Sequence, residues 1–220
     1  MANKPEEKTA KLHTVYRDAG PRLPSVTTVL SILQKPALIH WAWRLGTEGK
    51  DYKKVRDITA EVGTLAHAII LEHLGGPKVD YSIYSDHVRQ MAENSFLSYL
   101  EWERRQTGFK SVLAEQKFSS DALGFGGTID DVAEINSTLS LLDFKTGKGI
   151  FDSHRLQVAA YWLLLKEAGY DVQRIVILNI PRSEDENFIE APVRKIEQYA
   201  DMFLKVLEVY KASRKLEYRF

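Results

Sequence analysis

The chain has 220 residues, of which 44% are hydrophobic and 27% charged; this suits one generous folded domain and argues against wholesale disorder. Cysteine is absent, which excludes disulfides, zinc–cysteine sites, iron–sulfur clusters and thiol catalysis. No apolar run approaches the roughly 18–20 residues of a bilayer-spanning helix, and the first 24 residues lack the apolar core of a secretory signal, so the expectation is a soluble cytoplasmic protein. Thirty Lys+Arg balance thirty Asp+Glu, yet residues 1–60 carry a net +5 and residues 61–181 a net −5. A polyanion would find its counter-charge mainly in the first quarter of the chain.

Residues 1–24, polar and closed by Gly20-Pro21 and Pro24, read as an N-terminal arm, and residues 25–220 as a single domain. Ser25 is placed to cap a short helical stretch, VTTVLSIL, that stops before Pro36. Residues 37–48 and 51–74 read as two further helices. In the second, Val55, Ile58, Val62, Leu65, Ile69 and then His73 or Leu74 recur at helical spacing, and Gly75-Gly76-Pro77 ends it. Residues 84–106 form another helix, with Val88, Met91, Phe96, Tyr99 and Leu100 towards one side. Strands follow at 112–118, 127–135 and 138–146, the last two joined by a turn at Asn136-Ser137. A helix at 153–168, an apolar strand at 174–180 of the kind buried on both faces, an edge strand within NFIEAPV and a helix at 194–213 complete the chain. This order predicts an α/β fold with a mixed central sheet flanked by helices and an N-terminal helical region.

A two-residue loop at Asn136-Ser137 also sets a register in which residues whose numbers sum to 273 face one another. Asp130 then opposes Asp143. Directly opposed side chains lie about 4.5–5.5 Å apart at Cβ, where like charges are destabilising, so a divalent cation is the simplest counter-charge. Strand alternation turns Lys145 to the same side as Asp143, and oxygen ligands of this kind suit Mg²⁺ or Mn²⁺. The competing explanation is a surface ion pair of Asp143 with Lys145 and a loop position for Asp130; geometry alone leaves the two even. Gly124-Phe-Gly-Gly127 precedes a strand instead of opening a helix, and Thr146-Gly-Lys-Gly149 lacks P-loop spacing, so neither supports a nucleotide-driven motor. His40, Trp41 and Trp43 offer aromatic faces to unpaired bases, with helix packing the plainer explanation for at least one of the tryptophans.

Gly127-Thr-Ile-Asp130, Asp143-Phe-Lys145-Thr146 and Gln157-x-x-x-Tyr161, with an upstream helical histidine in Gly63-Thr-Leu-Ala-His67, together resemble the RecB-like branch of the PD-(D/E)XK nuclease superfamily. The resemblance spans about residues 25–165, and the opening PSVTTVLSILQKPALIHWAW is similar to that of small phage-type members. It implies a restriction-endonuclease-like core and metal-dependent cleavage of DNA phosphodiesters with one or two Mg²⁺ or Mn²⁺ ions. It implies Asp130 and Asp143 as metal-binding carboxylates, the Phe144 carbonyl as a further ligand and His67 as the ligand from the helix side. Lys145 would hold or deprotonate the attacking water and stabilise developing charge. Gln157 and Tyr161, one helical turn apart, would position water, site groups or phosphate, and Glu115 would support the site from the preceding strand.

Trp41, Trp43, Arg44, Lys53, Lys54 and Lys148 are candidate DNA contacts, as are Lys205, Lys211, Arg214 and Lys215 of the last helix. The four cysteines that hold an iron–sulfur cluster in some relatives are missing, so that cofactor is not expected. The implied activity is an exonuclease acting on DNA ends or single strands in recombination, repair or phage DNA processing. Its setting would be a bacterial or phage-infected cell, beside a recombination or replication protein. A structure-selective endonuclease and a catalytically inactive DNA- or partner-binding module are the alternatives.

Overall fold

Ser25 does what its sequence position predicts: its hydroxyl accepts the Thr28 N–H at 3.0 Å and caps α1 (Val26–Leu30). The computed structural model describes Tyr16 and residues 21–216; most of the expected arm lies outside the described residues. After α1 come α2 (Pro36–Thr47), α3 (Tyr52–His73) and α4 (Asp86–Arg104), with a short 3₁₀ turn at Tyr81–Ile83 before α4. Strands β1 (Lys110–Ser120), β2 (Phe125–Ile135) and β3 (Thr138–Lys145) form a meander. Helix α5 (Asp152–Glu167), β4 (Arg174–Asn179), β5 (Ile189–Pro192) and α6 (Ile196–Lys215) follow.

The five strands lie in sequence order, antiparallel except for the parallel pair β3–β4, which α5 connects. Asn136 and Ser137 both take positive φ, 50° and 59°, the geometry that lets a two-residue loop follow the twist of its strands. The observed pairs run from Asp131↔Leu142 to Ile135↔Thr138, the predicted register.

Helices cover both faces of the sheet. Val132 and Leu141 pack with α1, α5 and α6 on one side; Ala133, Leu142 and Phe144 pack with Ile70, Tyr99 and Trp102 of α3 and α4 on the other. In β4, Ile175 and Ile177 join the first core while Val176 and Leu178 join the second, as an uninterrupted apolar strand requires. Two helical faces differ in detail from the expected ones. The inner stripe of α4 is Val88, Ala92, Ser95, Tyr99 and Trp102, with Met91, Phe96 and Leu100 only partly covered, because the helix rolls towards α3. At the start of α3, Ile58 is exposed, since burial in α3 begins at Val62. Helix α2 joins neither core: Leu45 is its only buried residue. Among the described residues no helix is long and apolar enough to cross a membrane.

Candidate metal centre

The site forms where strict alternation fails. Ile129 and Val132 both pack against the α5 side, so Asp130 and Asp131 share a stretch in which a regular strand would fit one residue between them. The facing strand is irregular too. Leu113 and Phe118 both reach that same core, the β1–β2 register shifts between Ser111 and Leu113, and Glu115 adopts φ +46°. Such bulges re-aim side chains beside functional sites.

Asp130 is therefore aimed along the sheet. Its Oδ2 accepts the Phe144 backbone N–H at 2.8 Å, just past the last β2–β3 pair, and its Oδ1 stands 3.6 Å from His67 Nδ1. His67 reaches the strands from α3 and its ring meets Phe144 edge-on at 5.9 Å between centroids. Asp143, next in alternation to Phe144, turns to the α5 side, where its Oδ2 lies 2.6 Å from Lys145 Nζ. Lys145 Nζ also donates to the Phe144 carbonyl at 3.3 Å. The two aspartates thus flank the divide between β2 and β3 and do not share one flat face, which corrects the simple alternation argument; Asp143 and Lys145 do share a side, as alternation predicts.

Asp143 is fully buried; its Oδ2 accepts from the Lys145 ammonium, and among the described residues its Oδ1 has no hydrogen-bond donor. Burial pushes its pKa up to about 6; Lys145 opposes the rise and Asp130 reinforces it. Burial also opposes charge on Asp130, but His67 and Lys145 outweigh it and hold that carboxyl below its usual range. For His67 burial acts against the charged ring, and Asp130 prevails and raises the pKa. Opposite charges are thus paired across a centre that still holds unsatisfied anionic oxygen. A cavity of about 160 Å³ adjoins it, lined by His67, Leu71, Leu74, Glu115, Thr128, Asp130 and Phe144. At roughly 30 Å³ per liquid water this admits a hydrated ion or a phosphate oxygen.

Among the described residues no three His, Asp or Glu side chains form a ready-made ligand cluster. In its place Lys145 sits against Asp143 as the counter-charge. The unmet Asp143 Oδ1, the Asp130 carboxylate, the Phe144 carbonyl and the imidazole form an oxygen-rich donor set that fits a hard divalent cation.

On α5, Gln157 Nε2 donates to the Tyr161 hydroxyl at 2.7 Å, and the buried Tyr161 ring lies against Gly127, where a Cβ would stand 2.6 Å from Cε1. Burial, then Asp143 and Asp130, raises the Tyr161 pKa and keeps it a neutral phenol. Glu115 is exposed and faces the cavity. Trp43, Arg44, Lys53, Lys54 and Lys148 are exposed, and Trp41 is half-buried. On α6, Lys205 pairs with Asp201 at 2.7 Å and Lys211 donates to the Leu123 carbonyl.

Three residues beside the site escaped the sequence reading. His154 stands one turn before Gln157 on α5; burial, then Lys145 and Lys35, pushes its pKa down to about 4. Its spacing from Gln157 and Tyr161 is the signal that could have found it. Thr128 lines the cavity and contacts the Tyr16 hydroxyl at 3.2 Å. Asp131 is fully buried on the α4 side, where Ser111 donates to its Oδ1 at 2.6 Å and its Oδ2 has no side-chain donor among the described residues; only the break in alternation reveals its direction.

A family model of the PD-(D/E)XK nuclease superfamily matches residues 37–220. No curated protein matches the chain. Two solved structures share part of the fold. One, from Eubacterium rectale, is described as a "putative exonuclease"; it is 9% identical, with a TM-score of 0.45 over 72% of this chain and 69% of that one. The other, SSO0001, is 11% identical, with a TM-score of 0.37 over 70% of this chain and 74% of that one. Likeness this slight has no bearing on function.

Proposed function

The chain belongs to the PD-(D/E)XK nuclease superfamily, and we propose that it is a metal-dependent deoxyribonuclease, an exonuclease acting on DNA ends or single strands, with residues 25–220 as one nuclease domain. The observation that supports this best is Asp143: a fully buried carboxylate beside Asp130 whose Oδ2 is held by Lys145 at 2.6 Å and whose Oδ1 has no hydrogen-bond donor among the described residues. A buried ion pair that leaves one anionic oxygen unmet is costly, and a cation at that oxygen would offset the cost.

Asp130, Asp143, the Phe144 carbonyl and His67 are the residues that hold Mg²⁺ or Mn²⁺. When bound, the cation supplies Lewis-acid activation of the phosphodiester and of the attacking water. Lys145, anchored by Asp143 and the Phe144 carbonyl, orients the water and stabilises charge developing on the phosphate oxygens. Because Gln157 donates to the Tyr161 oxygen, the phenolic hydrogen stays available to a phosphate oxygen or a water. His67 presents Nδ1 to Asp130 Oδ1 at 3.6 Å, the pair of donors that would face the cation together. Glu115 contributes negative potential at the cavity rim. Exposed cations of the N-terminal quarter track the phosphodiester backbone, which makes binding salt-dependent.

The test is incubation of 5′- and 3′-labelled linear DNA and closed circular DNA with Mg²⁺, Mn²⁺ or EDTA. Metal-dependent release of mononucleotides from linear DNA alone supports the exonuclease. Cutting of the circle moves the assignment to an endonuclease, and no cleavage with either metal points to an inactive binding module.

A further inference from the structure

Helix α2 breaks the rule that a surface helix turns its polar side to water. Its inward side carries Leu45 and the half-buried Trp41. The side a helix would make polar carries Ile39 and Trp43, four residues apart and 71% and 69% exposed, with His40 and Arg44 alongside. Adjacent exposed apolar side chains of this size mark an interaction surface. Two features identify what covers this one. Residues 35–57 hold six basic and three acidic side chains; Arg44 and Lys50 share Glu48 and Arg56 pairs with Asp57, which leaves a surplus of positive charge in the stretch that carries the strip. The helix is also tied to the segment that follows Lys145 through its neighbour: α2 packs on α3, and Gly63 of α3 lies so close to Thr146 that a Cβ would stand 2.8 Å from its hydroxyl.

We propose that the outer strip of α2, Ile39 and Trp43 flanked by Arg44 and Lys35, is a platform on which unpaired bases stack as a DNA strand approaches the metal centre, making the enzyme selective for single-stranded substrate. This rests on the nuclease reading above and names the form of DNA that it takes. The chemistry fits a single strand because each unpaired base offers a π-face to an indole while its phosphate meets a neighbouring cation; a duplex keeps its base faces stacked inside and offers the strip only phosphates. A second protein chain would find the apolar strip suitable but gains little from a surplus of positive charge beside it.

The experiment uses the full chain in EDTA, so that binding is read without cleavage, with fluorescein-labelled dT20 and a blunt 20-base-pair duplex followed by anisotropy. Trp43→Ala is expected to weaken dT20 binding by about tenfold, the loss of one base–indole stack, with little change for the duplex. Trp43→Phe keeps most of the dT20 affinity. Ile39→Ser weakens dT20 binding to a smaller extent, and circular dichroism confirms that the variants fold. The proposal is overturned if wild type fails to bind dT20, if Trp43→Ala binds it as wild type does, or if the variant loses dT20 and duplex affinity equally. It is also overturned if light scattering shows a wild-type oligomer that Trp43→Ala dissociates, because the strip is then covered by a second copy. A wild-type protein that binds dT20 through Trp43 but cleaves nothing with Mg²⁺ or Mn²⁺ upholds the platform and removes the nuclease reading.

Discussion

Asp130 accepts the backbone N–H of Phe144 at 2.8 Å where β2 and β3 cease to pair. A side chain here replaces a main-chain partner, so one carboxylate both closes the ladder and stands ready beside the strand that carries Asp143. Its two roles separate by mutation. Asp130→Asn keeps an acceptor for Phe144 but gives up the charge that His67 and Lys145 stabilise, so it unfolds in urea at a lower midpoint than wild type and loses the rise in melting temperature that Mn²⁺ gives the wild type. Asp130→Ala leaves that N–H unmet and loses about 1–3 kcal/mol as well. Equal metal response in wild type and Asp130→Asn contradicts the assignment.

Asp131 gives the pH dependence. Burial raises its carboxyl to about 7 from an ordinary 3.8, the Ser111 hydrogen bond opposing and Asp130 and Glu103 reinforcing. A folded value above the unfolded one favours the protonated native state: the contribution is complete below about pH 4 and is lost as pH rises through about 7. Asp131→Asn, which can still accept from Ser111, removes that loss. Relative to wild type it gains stability between pH 5 and pH 8, by about 3 kcal/mol, the two pH units up to about 7 at ~1.36 kcal/mol each. Urea titrations of both proteins at the two pH values measure the gap; a gap that stays constant with pH means Asp131 is ionised in the native state.

The hairpin that carries the centre was legible because it rests on local rules. Two turn residues between alternating strands give one register, and Asp131↔Leu142 through Ile135↔Thr138 obey it. The direction of Asp130 was not legible. It depends on an irregularity shared with β1, where Val112 is an extra residue and Glu115 takes a left-handed conformation, and neither has a compositional mark such as glycine. His67 was found through its resemblance, since a histidine among Ala, Leu and Ile on a helix is by itself ordinary. The outward face of α2 was half legible: the tryptophans drew attention, but which one faces water depends on where α3 lies.

Removing the amine should unbalance the centre. Lys145→Ala leaves the Asp143 carboxylate buried without its ion-pair partner and destabilises the metal-free protein by about 3 kcal/mol. Mn²⁺ restores part of this while cleavage stays absent. Thermal melts with and without Mn²⁺ check it, and a variant as stable as wild type without metal shows that the pair contributes nothing.

Gly127 allows the close approach of Tyr161, whose ring would meet a Cβ at 2.6 Å. Gly127→Ala therefore displaces the ring or the strand, costs about 1–3 kcal/mol and lowers cleavage. Tyr161→Phe, which keeps the packing and removes the hydroxyl, is expected to lower the rate with little change in melting temperature. If Gly127→Ala melts and cleaves as wild type does, the packing of α5 on β2 does not govern the site.

Asp143→Asn bears most directly on the metal centre, because it keeps the shape and burial of the side chain and removes only its charge. End-labelled linear DNA is incubated with wild type or this variant in Mg²⁺, Mn²⁺ or EDTA, and product is resolved at nucleotide length. The account predicts cleavage by wild type with either metal, none in EDTA, and at least a thousandfold loss (on the order of 4 kcal/mol in the barrier) for Asp143→Asn. Wild-type rates in EDTA, or undiminished turnover by the variant, contradict it.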